Sequence, residues 1–252
     1  MMSLSEVRYY SQALQKATGT FVIHPDQNVQ RPYHCMVLLH GLSDDYTIWQ
    51  RRTSIERYVA DKPLIVVMPD GGRGFYVDAL QGYQYLQAIA YELPELIGHH
   101  YTVDGSWCTA GLSMGGYGAL RVALERPDMF RSAVSHSGAV TIGRHYPTEV
   151  PTSGHEREEP FIREFLPVFG PVTPGGKNDL VALAQKASPR PAIRFDCGTE
   201  DFLLPANRSF HADLTELGIA HEYEEFPGDH NWAYWDEHIR EAVEFNMRNL
   251  NN

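Results

Sequence analysis

Residues 108–120 read CTAGLSMGGYGAL and place a serine between glycines, where an apolar run gives way to a helical pattern. Residues 111–115 match G-x-S-x-G, a motif in which a strand turns sharply into a helix and exposes the serine hydroxyl. Glycine at both ends of the motif removes side chains that would collide with the adjoining strand and helix. The turn also places Ser113 at a helix N-terminus, where free N–H groups favour negative charge. The stretch therefore predicts a reactive serine on a strand–turn–helix unit.

Strands and helices alternate on both sides of this unit. Short apolar runs end at glycine or a small polar residue, as strands covered on both faces do. These runs are HCMVLLHG (34–41), LIVVMPDG (64–71), SWCTAGLS (106–113), SAVSHSGA (132–139) and AIRFDCGT (192–199). Segments with helical period lie around residues 49–62, 83–100, 115–125, 207–218 and 232–250. The class predicted is α/β, with a mostly parallel central sheet and helices on both faces.

The N-terminal part of the chain has a different residue pattern. Residues 7–14 and 19–26 alternate polar and apolar side chains with many aromatics, which predicts antiparallel strands. Residues 49–62 are interpreted mainly as an amphipathic helix with a solvated, charged face.

Length and composition suit one domain. The chain has 252 residues, of which 43% are hydrophobic and 21% charged, so we expect a single domain over residues 1–252. Residues 141–180 interrupt the alternation with several prolines and glycines, and we interpret them as a small lid or rim insertion over the site. A structural excursion far from the site would explain the same composition equally well.

The charge balance disfavours some classes of partner. With 21 basic and 32 acidic residues the formal net charge is -11, whereas nucleic acid and anionic membranes need a basic face. No secretion signal is evident, and no apolar run approaches the roughly 20 residues that span a bilayer. Cys35, Cys108 and Cys197 lie in apolar, strand-like runs, which predicts buried free thiols in a reducing compartment. We expect a cytoplasmic protein.

No metal or cofactor is predicted. His99 and His100 are adjacent on a helical segment, so their side chains point about 100° apart and rarely share one ion. The glycine-rich residues 71–79 lack the spacing of a phosphate-binding loop.

A reactive serine needs a base held by a carboxylate, and after this type of turn the acid precedes the histidine in the chain. The run RFDCGTEDFLLP offers Asp196, Glu200 and Asp201. Asp196 lies inside the strand, whereas a catalytic acid belongs in the loop beyond the strand. Glu200 and Asp201 therefore remain, with Asp201 preferred. Helix N-capping is the alternative role for Asp201.

Three histidines follow the candidate acids. His230 comes after a strand and a Pro-Gly turn, in a loop before the last helix. His221 lies at the start of that strand and His238 well inside the helix, so each would sit at the wrong depth. The order therefore predicts His230 as the general base. Asp229 is not chosen as the acid, because it is adjacent to His230 in sequence and the side chains of adjacent residues seldom point toward each other.

The oxyanion of acyl transfer needs two N–H donors. We expect them at Met114, which follows the nucleophile, and at Leu42, in the loop after the strand that ends at His40. His40 either braces that loop or is an ordinary buried histidine. Possible substrate-lining residues are His40, Trp49, Tyr76 and Trp232. A plain turn for Tyr76 and core packing for Trp232 are the alternatives.

Several segments together resemble one family: YYSQAL, LLHGLSDDYTIWQRRTSIER, VVMPDGGRGFYVD, GLSMGGYGAL, DCGTEDFL and GDHNWAYWDEHI. They are similar to the tributyrin-esterase branch of the esterase D superfamily of α/β-hydrolases, which also contains S-formylglutathione hydrolases, acetyl xylan esterases and feruloyl esterases. The resemblance covers nearly the whole chain and is weakest between residues 141 and 186.

The resemblance implies a serine esterase with an α/β-hydrolase fold. It implies Ser113 as nucleophile, Asp201 as acid and His230 as base, with backbone donors at Leu42 and Met114, and it favours Asp201 over Glu200. It also implies small acyl esters as substrates, no cofactor, and frequent homo-oligomers. The S-formylglutathione branch typically reads GHSMGG where this chain reads GLSMGG, so thioester cleavage comes second. Acyl transfer and a non-catalytic ligand-binding protein are the further alternatives.

Overall fold

The computed structural model describes residues 2–25, 28–145 and 159–251. An eight-stranded sheet runs through this part in the order β1-β2-β4-β3-β5-β6-β7-β8. The strands are β1 (Ser3–Ser11), β2 (Lys16–His24), β3 (Tyr33–Leu39), β4 (Leu64–Pro69), β5 (Val103–Leu112), β6 (Phe130–His136), β7 (Ala192–Gly198) and β8 (Glu222–Phe226). The pairs β1–β2 and β2–β4 are antiparallel, and the other neighbours are parallel. The predicted mostly parallel sheet with antiparallel N-terminal strands is confirmed.

Helices cover both faces of this sheet. They are α1 (Ile48–Arg52), α2 (Ile55–Tyr58), α3 (Tyr85–Gln87), a π-helical turn (Ala88–Glu92), α4 (Leu93–His100), α5 (Met114–Glu125), α6 (Glu159–Phe169), α7 (Leu180–Lys186), α8 (Leu204–Glu216) and α9 (Trp232–Leu250). Helices α1, α2 and α9 pack in one apolar cluster with Met36 and Leu38 of β3. Helices α3 to α8 pack in another cluster with Cys35 and Val37, which point to the opposite face because side chains alternate along a strand.

The prediction of one amphipathic helix over residues 49–62 is wrong. The segment forms two short helices, α1 and α2, separated at Thr53 and Ser54. The Thr53 hydroxyl donates to the Trp49 carbonyl across 2.6 Å, and the Ser54 N–H donates to the Asp236 carboxylate on α9 across 2.7 Å. A tertiary hydrogen bond therefore takes the N–H that a continuous helix would use.

The helix predicted over residues 83–100 contains the π-helical turn just before Pro94. Proline has no N–H to donate to the carbonyl four residues earlier, at Ala90, and its ring would collide with that carbonyl. The wider turn relieves the collision. Arg126 then donates to the Ala90 carbonyl across 3.3 Å, so this buried acceptor keeps a partner.

The parallel strands bring their C-terminal ends to one edge of the sheet, where the functional loops lie. The predicted free cysteines are all buried and unpaired. Within the described ranges, no helix combines the length and apolarity that a membrane span needs. Of the predicted insertion over residues 141–180, residues 146–158 lie outside the described part, and α6 and α7 follow them.

Candidate active site

Ser113 occupies a strained turn between β5 and α5. Its φ of 53° and ψ of -117° are unfavourable for a residue with a side chain and cost about 1–3 kcal/mol. A Cβ on Gly111 or Gly115 would lie under 3.0 Å from backbone atoms, so only glycine fits at these two positions. The Ser113 N–H donates to the His136 carbonyl across 2.9 Å, which ties the turn to β6.

His230 reaches this turn from the loop between β8 and α9. Asn231 caps α9 by accepting the N–H groups of Ala233 at 3.0 Å and Tyr234 at 3.2 Å, which fixes where the loop ends. The imidazole Nε2 lies 3.0 Å from Ser113 Oγ. Nucleophile and histidine are therefore within hydrogen-bond reach across 117 residues of sequence.

Asp201 lies in the loop after β7 and contacts the other ring nitrogen of His230. Asp201 Oδ2 is 2.8 Å from Nδ1, and Oδ1 accepts the Leu203 N–H across 2.8 Å. Since a carboxylate accepts, Nδ1 carries the proton, and Nε2 is left free to accept the serine hydroxyl proton. Burial by itself raises the pKa of Asp201, but the hydrogen bonds from His230 and the Leu203 N–H outweigh it and hold the pKa below its ordinary value.

Glu200, the other candidate acid, points elsewhere. Its carboxylate accepts the Gly228 N–H across 2.6 Å and the Thr199 hydroxyl across 2.7 Å. These hydrogen bonds, first that from Thr199 and then that from the Gly228 N–H, lower the pKa of Glu200. Glu200 therefore steadies the turn that precedes His230, while Asp201 contacts its ring.

Comparison with known proteins shows the family of the chain. The family model named Esterase matches residues 11–245. The chain belongs to the Esterase family. It is a carboxylic ester hydrolase with an esterase D-like α/β-hydrolase fold.

Three relatives of this esterase are similar over nearly their full length. An acetyl esterase from Caldicellulosiruptor saccharolyticus is 28% identical over 97% of this chain and 98% of the relative. The substrate-bound structure of FphF, a fluorophosphonate-binding serine hydrolase from Staphylococcus aureus, is 27% identical with a TM-score of 0.82, covering 98% of both chains. The S-formylglutathione hydrolase FrmB from the same organism is 28% identical with a TM-score of 0.81, covering 98% of this chain and 99% of that one.

The loop after β3 in this esterase runs close to the serine. A Cβ on Gly41 would lie 3.8 Å from Ser113 Cβ, so the neighbouring Leu42 is at the same edge of the site. Met114 is the first residue of α5, where helix geometry leaves the N–H without an intrahelical partner. Of the two predicted oxyanion donors, Leu42 thus stands on the loop after β3 and Met114 at the start of α5, both next to Ser113.

Of the possible lining residues, three are buried beneath the site and brace its loops. The His40 ring accepts the Gly71 N–H at Nε2 across 2.9 Å and donates from Nδ1 to the Gly41 carbonyl across 2.8 Å. Tyr76 donates to the His40 carbonyl across 3.0 Å, and Trp49 donates to the Leu39 carbonyl across 2.9 Å. His40, Trp49 and Tyr76 are at most 1% exposed, so they offer no surface to a ligand.

The fourth possible lining residue, Trp232, is half-buried at the start of α9. Its ring meets those of Trp49 and Trp235 edge-on, with centroids 5.4 Å and 5.2 Å apart. Trp235 in turn stands perpendicular to the His230 ring at 4.9 Å. Trp232 therefore belongs to an aromatic group that supports the histidine from the α9 side.

Sequence reasoning missed a contact between α6 and the loop after β4, which in turn contacts the loop after β3. The Arg73 guanidinium pairs with the Glu164 carboxylate of α6 and donates to the Ser43 hydroxyl across 2.6 Å. Phe165 and Phe169 of α6 pack edge-on against Phe75, with centroids 4.9 Å and 5.3 Å away. Helix α6 therefore rests on the loop after β4. The aromatic residues of α6 were visible in the sequence, but their partner loop was not.

Proposed function

We propose that this esterase hydrolyses short-chain acyl esters through a Ser113–His230–Asp201 triad. The observation that carries the proposal is the chain of contacts from Ser113 Oγ to His230 Nε2 at 3.0 Å and from His230 Nδ1 to Asp201 at 2.8 Å. This arrangement supplies an activated nucleophile, a base, and a group that orients the base.

In the proposed reaction, Ser113 Oγ forms a bond to the ester carbonyl carbon while its proton passes to His230 Nε2. The N–H groups of Leu42 and Met114 receive the developing oxyanion. When the tetrahedral intermediate collapses, the bond to the alcohol oxygen breaks and the imidazolium gives that oxygen its proton. A water molecule then repeats the sequence on the acyl-enzyme, which releases the acid and restores Ser113. Asp201 stays ionised and stabilises the imidazolium.

We infer that the acyl group of the substrate is short and acetyl-like. Tributyrin, a triglyceride of short-chain acids, carries the same kind of ester bond. The similarity to an acetyl esterase over 97% of this chain supports this inference.

Replacement of Ser113 tests the proposal. Ser113→Ala should lower kcat for a nitrophenyl acetate by about 10⁴–10⁶-fold without changing the folded structure. Near wild-type turnover by this variant would overturn the assignment.

Thioester cleavage is the second candidate. It is supported by the likeness to the S-formylglutathione hydrolase FrmB, which is as close in sequence identity as the acetyl esterase. The same triad would serve either bond, because both reactions pass through an acyl-enzyme. Comparing kcat/KM for S-formylglutathione and acetyl esters separates the two candidates. Product analysis with competing alcohols separates hydrolysis from acyl transfer, and binding without turnover would favour a ligand-binding protein.

We further infer the setting in which the enzyme works. The buried free cysteines support a reducing, cytoplasmic compartment. We propose one domain over residues 1–252 with a rim at residues 141–180, supported by the packing of α6 on Phe75. The membership in the family supports a homo-oligomer. Light scattering of the purified protein would test the oligomeric state.

A further inference from the structure

Phe202 is an apolar side chain held in water beside the catalytic histidine. It is 71% exposed, the highest value among the exposed large apolar side chains of the described ranges. Its ring centroid lies 4.6 Å from that of His230, with the ring planes inclined by 53°. The ring is therefore an exposed apolar surface in direct contact with the imidazole of His230.

The backbone on either side of Phe202 is fixed. The Asp201 N–H donates to the Gly198 carbonyl across 3.1 Å, and the Leu204 N–H donates to the Asp201 carbonyl across 3.0 Å. Asp201 Oδ1 also accepts the Leu203 N–H. Phe202 therefore lies on a turn that the proposed catalytic acid, Asp201, holds in place. The position of its Cα, from which the ring extends, is fixed by these hydrogen bonds.

The imidazole of His230 contacts two aromatic rings of different exposure. Trp235 stands perpendicular to it at 4.9 Å but is only 5% exposed, because it lies on the face of α9 that packs in the apolar cluster with Met36 and Leu38. Phe202 is the ring that a substrate can reach. In the proposed reaction the leaving alcohol oxygen must approach His230 Nε2 to receive its proton. The first atoms attached to that oxygen then lie beside the rings that border the imidazole.

We propose that Phe202 is a specificity-determining residue that contacts the leaving alcohol and favours esters with a ring or other apolar group next to the ester oxygen. This inference rests on the proposed triad and adds the alcohol side of the substrate to it. Contact between two rings contributes about 0.5–1.5 kcal/mol beyond area burial, which corresponds to a discrimination of up to about tenfold.

Two acetates with alkyl leaving groups test the proposal: benzyl acetate, which carries a ring, and ethyl acetate, which does not. For Phe202→Ala we expect kcat/KM to fall about tenfold with benzyl acetate and less than about threefold with ethyl acetate. Phe202→Leu should lie between these values, and Phe202→Tyr should restore the preference. Leu217→Ala, which removes another exposed apolar side chain at the far end of α8, is the matched control and should leave both substrates unaffected.

Three outcomes would overturn the proposal. Equal losses on both acetates with a displaced pH profile would mean that Phe202 only supports His230. An unchanged ratio of the two rates would remove any role in specificity. If Phe202→Ala changed the elution volume in size-exclusion chromatography but left the ratio of kcat/KM for the two acetates unchanged, Phe202 would be a contact between subunits. Fluorophosphonate labelling separates these from failure of the triad: Phe202→Ala should still be labelled, whereas an unlabelled wild type would refute the proposed function.

Discussion

The Tyr234 hydroxyl donates to Asp196 Oδ1 across 2.9 Å, deep under the active site. The other carboxylate oxygen of Asp196 accepts from His136 Nδ1 at 2.8 Å, and the carbonyl of His136 accepts the Ser113 N–H. Burial, and then the charge of Asp196, raise the pKa of Tyr234 well above its ordinary value, so the hydroxyl keeps its proton. One buried chain of hydrogen bonds therefore joins the histidine side of the site to the serine turn.

We expect Tyr234→Phe to lower kcat about tenfold while KM changes little, because the reacting side chains lose a shared support rather than a substrate contact. The unpaired Asp196 oxygen should also reduce the free energy of unfolding by about 1–3 kcal/mol. Steady-state kinetics and urea unfolding measure the two effects.

Ser132→Ala is the control for Tyr234→Phe. It removes a buried hydroxyl from β6 that donates to Asn246 across 2.7 Å, four residues before His136 along the strand. A similar stability loss with unchanged kcat is expected. If the two variants lost stability and kcat in parallel, Tyr234 would be structural only.

Gly115→Ala should disrupt the serine turn. Its new Cβ would lie under 3.0 Å from the carbonyl oxygens of Leu39 and His40, which are backbone atoms at the end of β3 and the start of the loop after it. We expect a loss of about 3 kcal/mol in the free energy of unfolding, together with loss of activity. Gly98→Ala provides the contrast, since nothing lies within 4 Å of its Cβ on α4 and a gain of about 0.5–1 kcal/mol is expected. Thermal unfolding measures the stability of both variants. Equal changes in the two would contradict the predicted steric clash at the turn.

Asp201→Asn should reduce kcat by about 10⁴-fold, because an amide can hold the imidazole in the wrong tautomer. Glu200→Gln keeps an acceptor for the Gly228 N–H and should stay within about threefold of wild type. The reverse ranking in an ester assay would reject Asp201 as the acid.

The lowered pKa of Asp201 also predicts a pH dependence of stability. Since the folded-state pKa lies below that of the unfolded chain, the carboxylate stabilises the fold above pH about 4, and this contribution is lost as the pH falls through the lowered value. The stability difference between wild type and Asp201→Asn should therefore shrink as the pH falls below about 4. Urea unfolding at a series of pH values measures it, and a difference that grew on acidification would contradict the assigned direction.

The strands, their order along the chain and the antiparallel start could be predicted because apolar runs and turn residues are local signals. The bend between α1 and α2 could not, since it depends on Asp236, 182 residues away. The buried role of Tyr76 was hidden for the same reason: its partner, the His40 carbonyl, lies on another loop.

Two features near the site could have been predicted from the sequence. Asp196 stands among apolar residues of a strand, and a buried carboxylate requires a partner, which proves to be Tyr234 and His136. Phe202 follows the preferred acid directly, so any side chain there borders the histidine. Neither signal gives the distance, which only the fold supplies.

The proposed mechanism depends most on Ser113 Oγ, the atom that becomes acylated. Mass spectrometry of the protein after reaction with a fluorophosphonate tests this directly, with the adduct mapped to a peptide. We predict one adduct on Ser113, none in Ser113→Ala, and slow formation in His230→Ala. An adduct on another residue, or undiminished labelling of Ser113→Ala, would contradict the account.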